Sequence, residues 1–305
     1  METYVVLKDL AIIIIAAKLC GILARKLKAP QVVGEIIAGL IIGPSILGWV
    51  SQSDFLLQMA EIGVILLMFS AGLETDLKDL VKTGPIAALI ACAGVFIPLI
   101  IGALYYMLYY GMSPWGSEEF YKAVFVGTIL TATSVSITVE ALKEMGKIKG
   151  KVGTTILSAA IIDDVIGIIV LTFVIGFKNP ESKPITVIIN TVLFFLFAFL
   201  VGYISYRVFK VVDNKYPHTR RIPIAAMAFC FLMAFAAERF FGIADITGAY
   251  VAGIILCSIR DSSYIERKVD INSYMLFGPV FFASIGLKTS LDSVTGSIIL
   301  FSIGF

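Results

Sequence analysis

The sequence predicts an all-α polytopic membrane protein. Of its 305 residues, 59% are hydrophobic and only 15% are charged, against ~25% charged residues in a typical soluble domain. Uncharged apolar runs recur along the whole chain, and each approaches the ~20 residues that an α-helix needs to cross ~30 Å of hydrocarbon. These two observations exclude a soluble globular protein, a disordered tail and a nucleic-acid-binding protein. They indicate no cofactor.

The first five spans are expected at about 5–24, 31–49, 58–73, 84–110 and 121–142. Basic residues follow the first apolar run instead of preceding it, which is the opposite of a cleaved signal peptide. Helix breakers mark the limits of the next spans, with Gly43-Pro44 inside the end of the second and Gly84-Pro85 at the start of the fourth. We therefore read the N-terminal run as a retained span.

The next five spans are expected at about 152–177, 184–209, 222–241, 245–259 and 272–288. Asn179-Pro180 separates the sixth from the seventh. An eleventh apolar run begins near 294, so we expect a chain that stops inside a span. No stretch is long and polar enough for a soluble domain, and residues 1–305 are read as one transmembrane domain.

The distribution of basic residues predicts the orientation. The odd-numbered loops and adjoining span ends carry 17 Lys and Arg, whereas the even-numbered ones carry 4. Short cytoplasmic loops accumulate Lys and Arg. We therefore expect a multi-pass protein of the cell membrane, with the odd-numbered loops in the cytoplasm and the N-terminus outside.

The chain also resembles itself at an offset of 214 residues. Gly34, Ala38 and Gly39 align with Gly248, Ala252 and Gly253, and a second block aligns at the same offset. That block pairs Ser70, Gly72, Leu73, Thr75 and Leu77 with Ser284, Gly286, Leu287, Thr289 and Leu291. The aligned spans cross the membrane in opposite directions, as in the inverted repeats of many transporters. We expect one repeat at about 1–177, a linker helix at about 184–209 and a truncated second repeat at about 222–305.

Asp163 and Asp164 lie in the middle of the sixth span. One aspartate at a helix centre costs ~2.5–3.5 kcal/mol on insertion scales, so intramembrane carboxylates usually face a cavity, a cation or a partner. Two adjacent carboxylates can hold protons or exchange them for a hard cation. Such cations prefer oxygen ligands. Competition between H⁺ and a monovalent cation at this pair is sufficient chemistry for exchange.

A hydroxyl-rich segment, Thr131 to Ser136, lies in the preceding span. These hydroxyls can bond their own helix or a neighbouring helix. They can also belong to a broken helix whose free groups face a cation. The short connection at 143–151 favours a position near the aspartates.

Several motifs together resemble the cation:proton antiporter-2 family. They are Gln31–Gly39 with Gly43–Gly48, Ala71–Glu74, Thr131–Ser134, Gly248–Gly253 and Phe281–Leu287. The adjacent aspartates resemble the NapA-type sodium/proton antiporters, whereas Kef-type potassium proteins have Gln-Asp there. The resemblance implies 13 helices in the full protein, of which about ten and a part are present here. It also implies a homodimer, two crossed broken helices and elevator-like alternating access.

The resemblance assigns the candidate site residues. Asp164 is expected as the main cation and proton carboxylate, Asp163 as the carboxylate paired with a family lysine, and Thr131 and Thr133 as residues of the first helix break. Ser134 is included as a cation-site candidate. The family lysine and second broken helix would lie beyond Phe305, so we expect the 305-residue chain alone not to transport.

The sequence thus predicts a secondary transporter, and no enzyme, that exchanges Na⁺ for H⁺, with Li⁺ as a further candidate ion. The metal bound at Asp163 and Asp164 would be the transported Na⁺, and two titrating aspartates predict two protons per Na⁺. The alternatives are a Kef-type K⁺/H⁺ antiporter, an ion channel and, remotely, an intramembrane aspartyl protease. The protease chemistry places its aspartates on separate helices, unlike this adjacent pair.

Overall fold

The computed structural model describes residues 3–131, 133–176, 184–290 and 301–304, which fold as helices joined by short connections, with no strand among them. The helices are α1 Thr3–Lys26, α2 Gln31–Ile42, α3 Asp54–Glu74, α4 Leu77–Tyr110, α5 Glu118–Thr131, α6 Val135–Glu144, α7 Lys151–Gly176, α8 Pro184–Lys215, α9 Arg221–Phe241, α10 Asp245–Leu256, α11 Ser262–Asn272 and α12 Gly278–Lys288. A π-helical turn at Ser273–Phe277 joins α11 to α12.

The prediction of a polytopic all-α membrane protein is confirmed. Within the described residues, six helical segments are long and apolar enough to cross a membrane: 54–74, 77–110, 118–144, 151–174, 185–215 and 221–241. Helix α1 is 24 residues long, whereas α2 and α10 have 12 residues each and so reach only ~18 Å. The spans predicted at 31–49 and 245–259 are therefore half-length helices with extended or turned ends.

The span predicted at 121–142 is two helices, α5 and α6, interrupted between Thr131 and Val135, where the family resemblance places the first helix break. The ninth loop contains the polar helix α11, which continues through the π-helical turn into α12. The start of the predicted eleventh span near 294, and Asn179-Pro180, lie outside the described residues.

The helices form two packing groups. Helices α4, α5 and α7 pack on one another and α6 packs on α7, while α1, α2, α3, α9, α10, α11 and α12 form the other group. Between them, the main packing contacts of the described residues run through two elements. Helix α6 packs on α2 and α3, and α8 packs on α7 from one side and on α9 and α10 from the other.

The odd-numbered connections described next lie at one end of the bundle, and the even-numbered ones lie at the other end. The third, fifth and ninth connections line one cavity of about 770 Å³, with Glu74, Lys149 and Ser262 in its wall. At the opposite end, the Ser45 hydroxyl of the second connection donates to the Thr289 carbonyl oxygen of the tenth, at 2.5 Å. This arrangement is what helices that cross alternately up and down require.

Four glycines allow two close crossings between helices. A β-carbon built on Gly253 of α10 would lie 2.7 Å from the Cα of Gly72 in α3, and one built on Gly286 of α12 would lie 2.8 Å from the carbonyl carbon of Gly39 in α2. Real β-carbons do not approach so closely, so these helices meet backbone to backbone. The sequence alignment at offset 214 pairs Gly39 with Gly253 and Gly72 with Gly286.

Candidate cation site at the Asp163 and Asp164 pair

Helix α7 carries the two aspartates at its midpoint. It begins after Gly150, whose φ of +97° turns the chain into the helix. Its hydroxyls satisfy themselves locally, since Ser158 Oγ donates to the Thr154 carbonyl at 2.6 Å and Thr172 Oγ1 donates to the Ile168 carbonyl at 2.7 Å. The carboxylates of Asp163 and Asp164 are therefore the polar groups of α7 that are available for a ligand at this depth.

Asp163 is held from the interrupted helix. Its side chain is buried, with the residue 7% exposed, and its Oδ2 accepts a hydrogen bond from Thr133 Oγ1 at 3.0 Å. Thr133 lies between the end of α5 at Thr131 and the start of α6 at Val135, where its backbone is not helical. The break therefore brings a hydroxyl to the carboxylate, which a continuous helix over 121–142 would direct elsewhere.

Two further hydroxyls of this segment, those of Thr131 and Ser134, have local partners. Thr131 is buried, and its Oγ1 donates to the Thr128 carbonyl oxygen at 2.8 Å. Ser134 is the N-cap of α6, where its Oγ accepts from the Ile137 N–H at 3.4 Å. Ser134 is thus placed one residue beyond Thr133 at the helix start, and the break is stabilised by an N-cap as expected for this residue type.

A cavity of about 320 Å³ opens beside the pair. Both aspartates, Gly167, Thr128 and Thr131 contribute to its lining, and the rest of its wall is apolar: Phe125, Ile129, Ile168 and Leu171. Apolar walls with a few convergent polar groups are typical of small-ligand sites. The two carboxylates are thus the negatively charged groups of a pocket between α5 and α7.

No salt bridge joins Asp163 or Asp164 to a basic side chain within the described ranges. Nor do those ranges contain a cluster of three or more His, Cys, Asp or Glu residues suited to a resident metal. The chemistry of the pair is therefore that of oxygen ligands alone, which suits protons and hard monovalent cations.

Sequence reasoning missed a second polar cluster around α6. Lys143 Nζ donates to Ser70 Oγ at 2.7 Å and to Asp270 Oδ1 at 2.9 Å, and it lies 3.4 Å from Glu74 Oε1. The adjacent Glu144 accepts from the Gln31 N–H through both oxygens, at 3.0 and 2.8 Å. We call Lys143 and Glu144 with these partners the α6 anchor. It fastens one packing group to the other.

Near this anchor, Lys18 and Glu35 form an intramembrane ion pair. Lys18 Nζ lies 3.2 Å from Glu35 Oε1, and Glu35 is only 4% exposed. The Glu35 carboxylate is therefore paired inside the helix bundle. The signal in the sequence was the presence of opposite charges in the first two spans, but their pairing depends on how α1 packs on α2.

The sequence is similar to those of known sodium/proton antiporters. A profile of the family described as sodium/hydrogen exchanger, transmembrane, matches residues 13–305. The chain is 38% identical over 291 residues to the Na(+)/H(+)-K(+) antiporter GerN of Bacillus cereus, covering 95% of this chain and 73% of that protein. It is 33% identical over 300 residues to the Na(+)/H(+) antiporter of Enterococcus hirae, covering 95% and 75%.

The fold is similar to a solved structure as well. The sodium proton antiporter MjNhaP1 from Methanocaldococcus jannaschii superposes with a TM-score of 0.70 at 18% identity, covering all of this chain and 78% of that one. The aspartyl protease alternative is wrong, since the relatives are transporters. The chain belongs to the sodium/hydrogen exchanger family of multi-pass membrane transporters.

Proposed function

We propose that this protein exchanges Na⁺ for H⁺ across the cell membrane, with the Asp163 and Asp164 pair as the shared binding site. The observation that carries the proposal is the position of the pair: two adjacent carboxylates at the middle of α7, bordering a cavity, with one fixed by the Thr133 hydroxyl. The antiport named for the relatives from B. cereus and E. hirae supports the same exchange.

The chemistry is competition for one pair of carboxylates. Asp164 is the main ligand for the cation, since it lines the cavity and has no hydroxyl donor among the described side chains. Asp163 is the second carboxylate, oriented by Thr133. Arrival of Na⁺ expels the protons held by the pair, and departure of Na⁺ allows them to return. If both aspartates titrate, two protons move for each Na⁺.

Access to the two sides alternates through motion of one packing group against the other. The group formed by α4, α5, α6 and α7 carries the site, and its main described contacts with the second group run through α6 and α8. The proposal also includes two inverted repeats, at 1–177 and 222–305, joined by the linker helix α8. The protein is a homodimer with an external N-terminus. Lipid covers the exposed apolar faces.

The decisive experiment is proton flux in proteoliposomes of the full-length protein. Na⁺ or Li⁺ added to one side should drive proton movement in the wild type, and Asp164→Asn should abolish it. Asp163→Asn should keep cation binding but weaken it, because Asp164 remains. Flux that persists in Asp164→Asn would overturn the site assignment.

A K⁺/H⁺ antiporter is the second candidate function. The name of the B. cereus relative includes K⁺, and a 28% identical relative is the K(+)/H(+) antiporter 1 of Saccharomyces cerevisiae. The same vesicles decide between the ions. Flux with K⁺ at concentrations where Na⁺ is inactive would assign the site to K⁺.

A further inference from the structure

Helix α4 approaches the aspartate pair at a glycine. A β-carbon built on Gly94 would lie 3.4 Å from Asp163 Oδ1, the carboxylate oxygen that is turned away from Thr133. Gly94 is the eighteenth of the 34 residues of α4, and Asp163 is the thirteenth of the 26 residues of α7. Both therefore lie midway along their helices, at the same depth.

The backbone of α4 is chemically unusual at this point. In an α-helix the carbonyl oxygen of Gly94 would accept from the N–H of residue 98. Residue 98 is Pro98, inside the helix, and proline has no N–H to donate. The Gly94 carbonyl oxygen is thus deprived of its helical donor, in a part of the membrane where unsatisfied backbone groups are costly.

These two features occur at one place. Covalent geometry keeps a carbonyl oxygen within about 4 Å of the β-carbon position of its own residue. The free oxygen of Gly94 and Oδ1 of Asp163 consequently border the same small volume, and no side chain from residue 94 fills it. Oδ1 has no hydrogen-bond donor among the described residues, so both oxygens are acceptors available to a positively charged group.

We infer that the Gly94 carbonyl oxygen and Asp163 Oδ1 form a two-oxygen subsite for a positively charged group on the α4 side of the aspartate pair. This inference rests on the proposed function and adds to it a ligand from a helix that the sequence motifs do not include. Backbone carbonyls freed by an interrupted helix are well suited to coordinate monovalent cations. Proline supplies that freedom here without ending the helix.

Two sources of positive charge share this chemistry. One is the transported cation, coordinated by the carbonyl and the carboxylate together. The other is the ammonium group of a lysine side chain. In both cases the positive charge satisfies Gly94 and Asp163 at once, so restoring the missing donor of Gly94 removes one of its two ligands.

Pro98→Ala provides that change, because alanine returns an N–H to the Gly94 carbonyl without touching either subsite residue. Pro85→Ala is the matched control. It restores a donor to the carbonyl of Val81 in the same helix, whose side chain is 78% exposed. Both variants gain the same type of hydrogen bond and relax the same type of kink.

The readout is thermal stability of the full-length protein in detergent, titrated with NaCl, alongside Na⁺-driven proton flux. If the ligand is the transported cation, Pro98→Ala should raise the half-saturating Na⁺ concentration about tenfold in both assays, and Pro85→Ala should change it less than twofold. If the ligand is an ammonium group, the Na⁺ midpoint should stay and the Na⁺-free melting temperature of Pro98→Ala should fall below that of Pro85→Ala.

Either shift supports the subsite, and the pattern identifies its occupant. Equal midpoints and equal Na⁺-free melting temperatures in Pro98→Ala and Pro85→Ala would overturn it. This failure is distinct from failure of the proposed function, which Asp164→Asn tests separately. Gly94→Ala is a second variant of the subsite, since its methyl group would enter the volume that the two oxygens border, 3.4 Å from Asp163 Oδ1. It should raise the Na⁺ midpoint as Pro98→Ala does.

Discussion

The backbone of Gly72 in α3 lies directly against the backbone of Gly253 in α10. A β-carbon on either residue would meet main-chain atoms of the other at less than 3 Å. Gly39 and Gly286 form the corresponding contact between α2 and α12. Each contact joins a helix of the proposed first repeat to one of the second, so two glycine crossings hold the larger packing group together.

We expect Gly253→Ala to destabilise the protein. The added methyl group has no space, because its neighbours are backbone atoms of α3 that cannot rotate away. Such overpacking costs ~1–3 kcal/mol. A lower melting temperature in detergent, measured by the loss of monodisperse protein after heating, would report it. Gly84→Ala is the matched control, since a β-carbon there meets nothing within 4 Å. Equal melting temperatures for the two variants would contradict the proposed tight crossing.

Thr133→Val should weaken cation binding. The valine keeps the size of the side chain but loses the hydroxyl that donates to Asp163 Oδ2 at 3.0 Å. Hydrogen bonds to charged groups contribute ~1.5–3 kcal/mol, so the half-saturating Na⁺ concentration should rise tenfold or more. Thr133→Ser should restore most of the affinity. Thr172→Val, whose hydroxyl bonds within α7, should leave it unchanged, and an equal effect of both valine variants would refute the role of Thr133.

The α6 anchor gives a prediction about stability. Lys143 and Lys149 both approach Glu74, at 3.4 and 3.9 Å, but their side chains are 14% and 68% exposed. Breaking a buried pair from one side costs ~3–5 kcal/mol, whereas an exposed pair contributes at most ~1 kcal/mol. Lys143→Gln should therefore lower the melting temperature strongly and Lys149→Gln hardly at all. Similar melting temperatures for Lys143→Gln and Lys149→Gln would show that the Lys143 side chain is solvated.

The proposed orientation is testable by labelling single cysteines in a variant without the four native cysteines. Met112, in the connection after α4, is 75% exposed, and Met145, after α6, is 64% exposed. In intact cells a membrane-impermeant maleimide should label Met112→Cys at once. Met145→Cys should react only after permeabilisation. The reverse pattern would place the N-terminus in the cytoplasm.

Sequence patterns predicted the helical spans well because hydropathy reports burial in lipid directly. Hydropathy alone could not locate the interruption at Thr131 to Val135, since hydroxyl-rich stretches also occur inside continuous helices, where they bond their own backbone. The motif resemblance pointed to that segment. Hydropathy does not reveal the polar helix α11, because its weak hydropathy indicates only that the segment does not cross the membrane.

The site was predictable in part for a similar reason. Asp163 and Asp164 stand out because charges are rare in apolar runs, whereas Gly94 does not, since glycine is common in membrane helices. What marks Gly94 in the sequence is Pro98, four residues later, because proline has no N–H to donate to the Gly94 carbonyl oxygen. That carbonyl becomes informative only when tertiary packing brings α7 beside it.

The bond between Thr133 and Asp163 links the chemical state of the carboxylate to the mechanics of the helix break. An ionised Asp163 accepts from the threonine, whereas a protonated carboxyl group can itself become the donor. Each protonation event thus changes the force that α7 exerts on the segment between α5 and α6. By reciprocity, any displacement of that segment alters the proton affinity of Asp163 by the same free energy. In the proposed mechanism, the break therefore couples ion occupancy at Asp163 to the backbone position of the segment between α5 and α6.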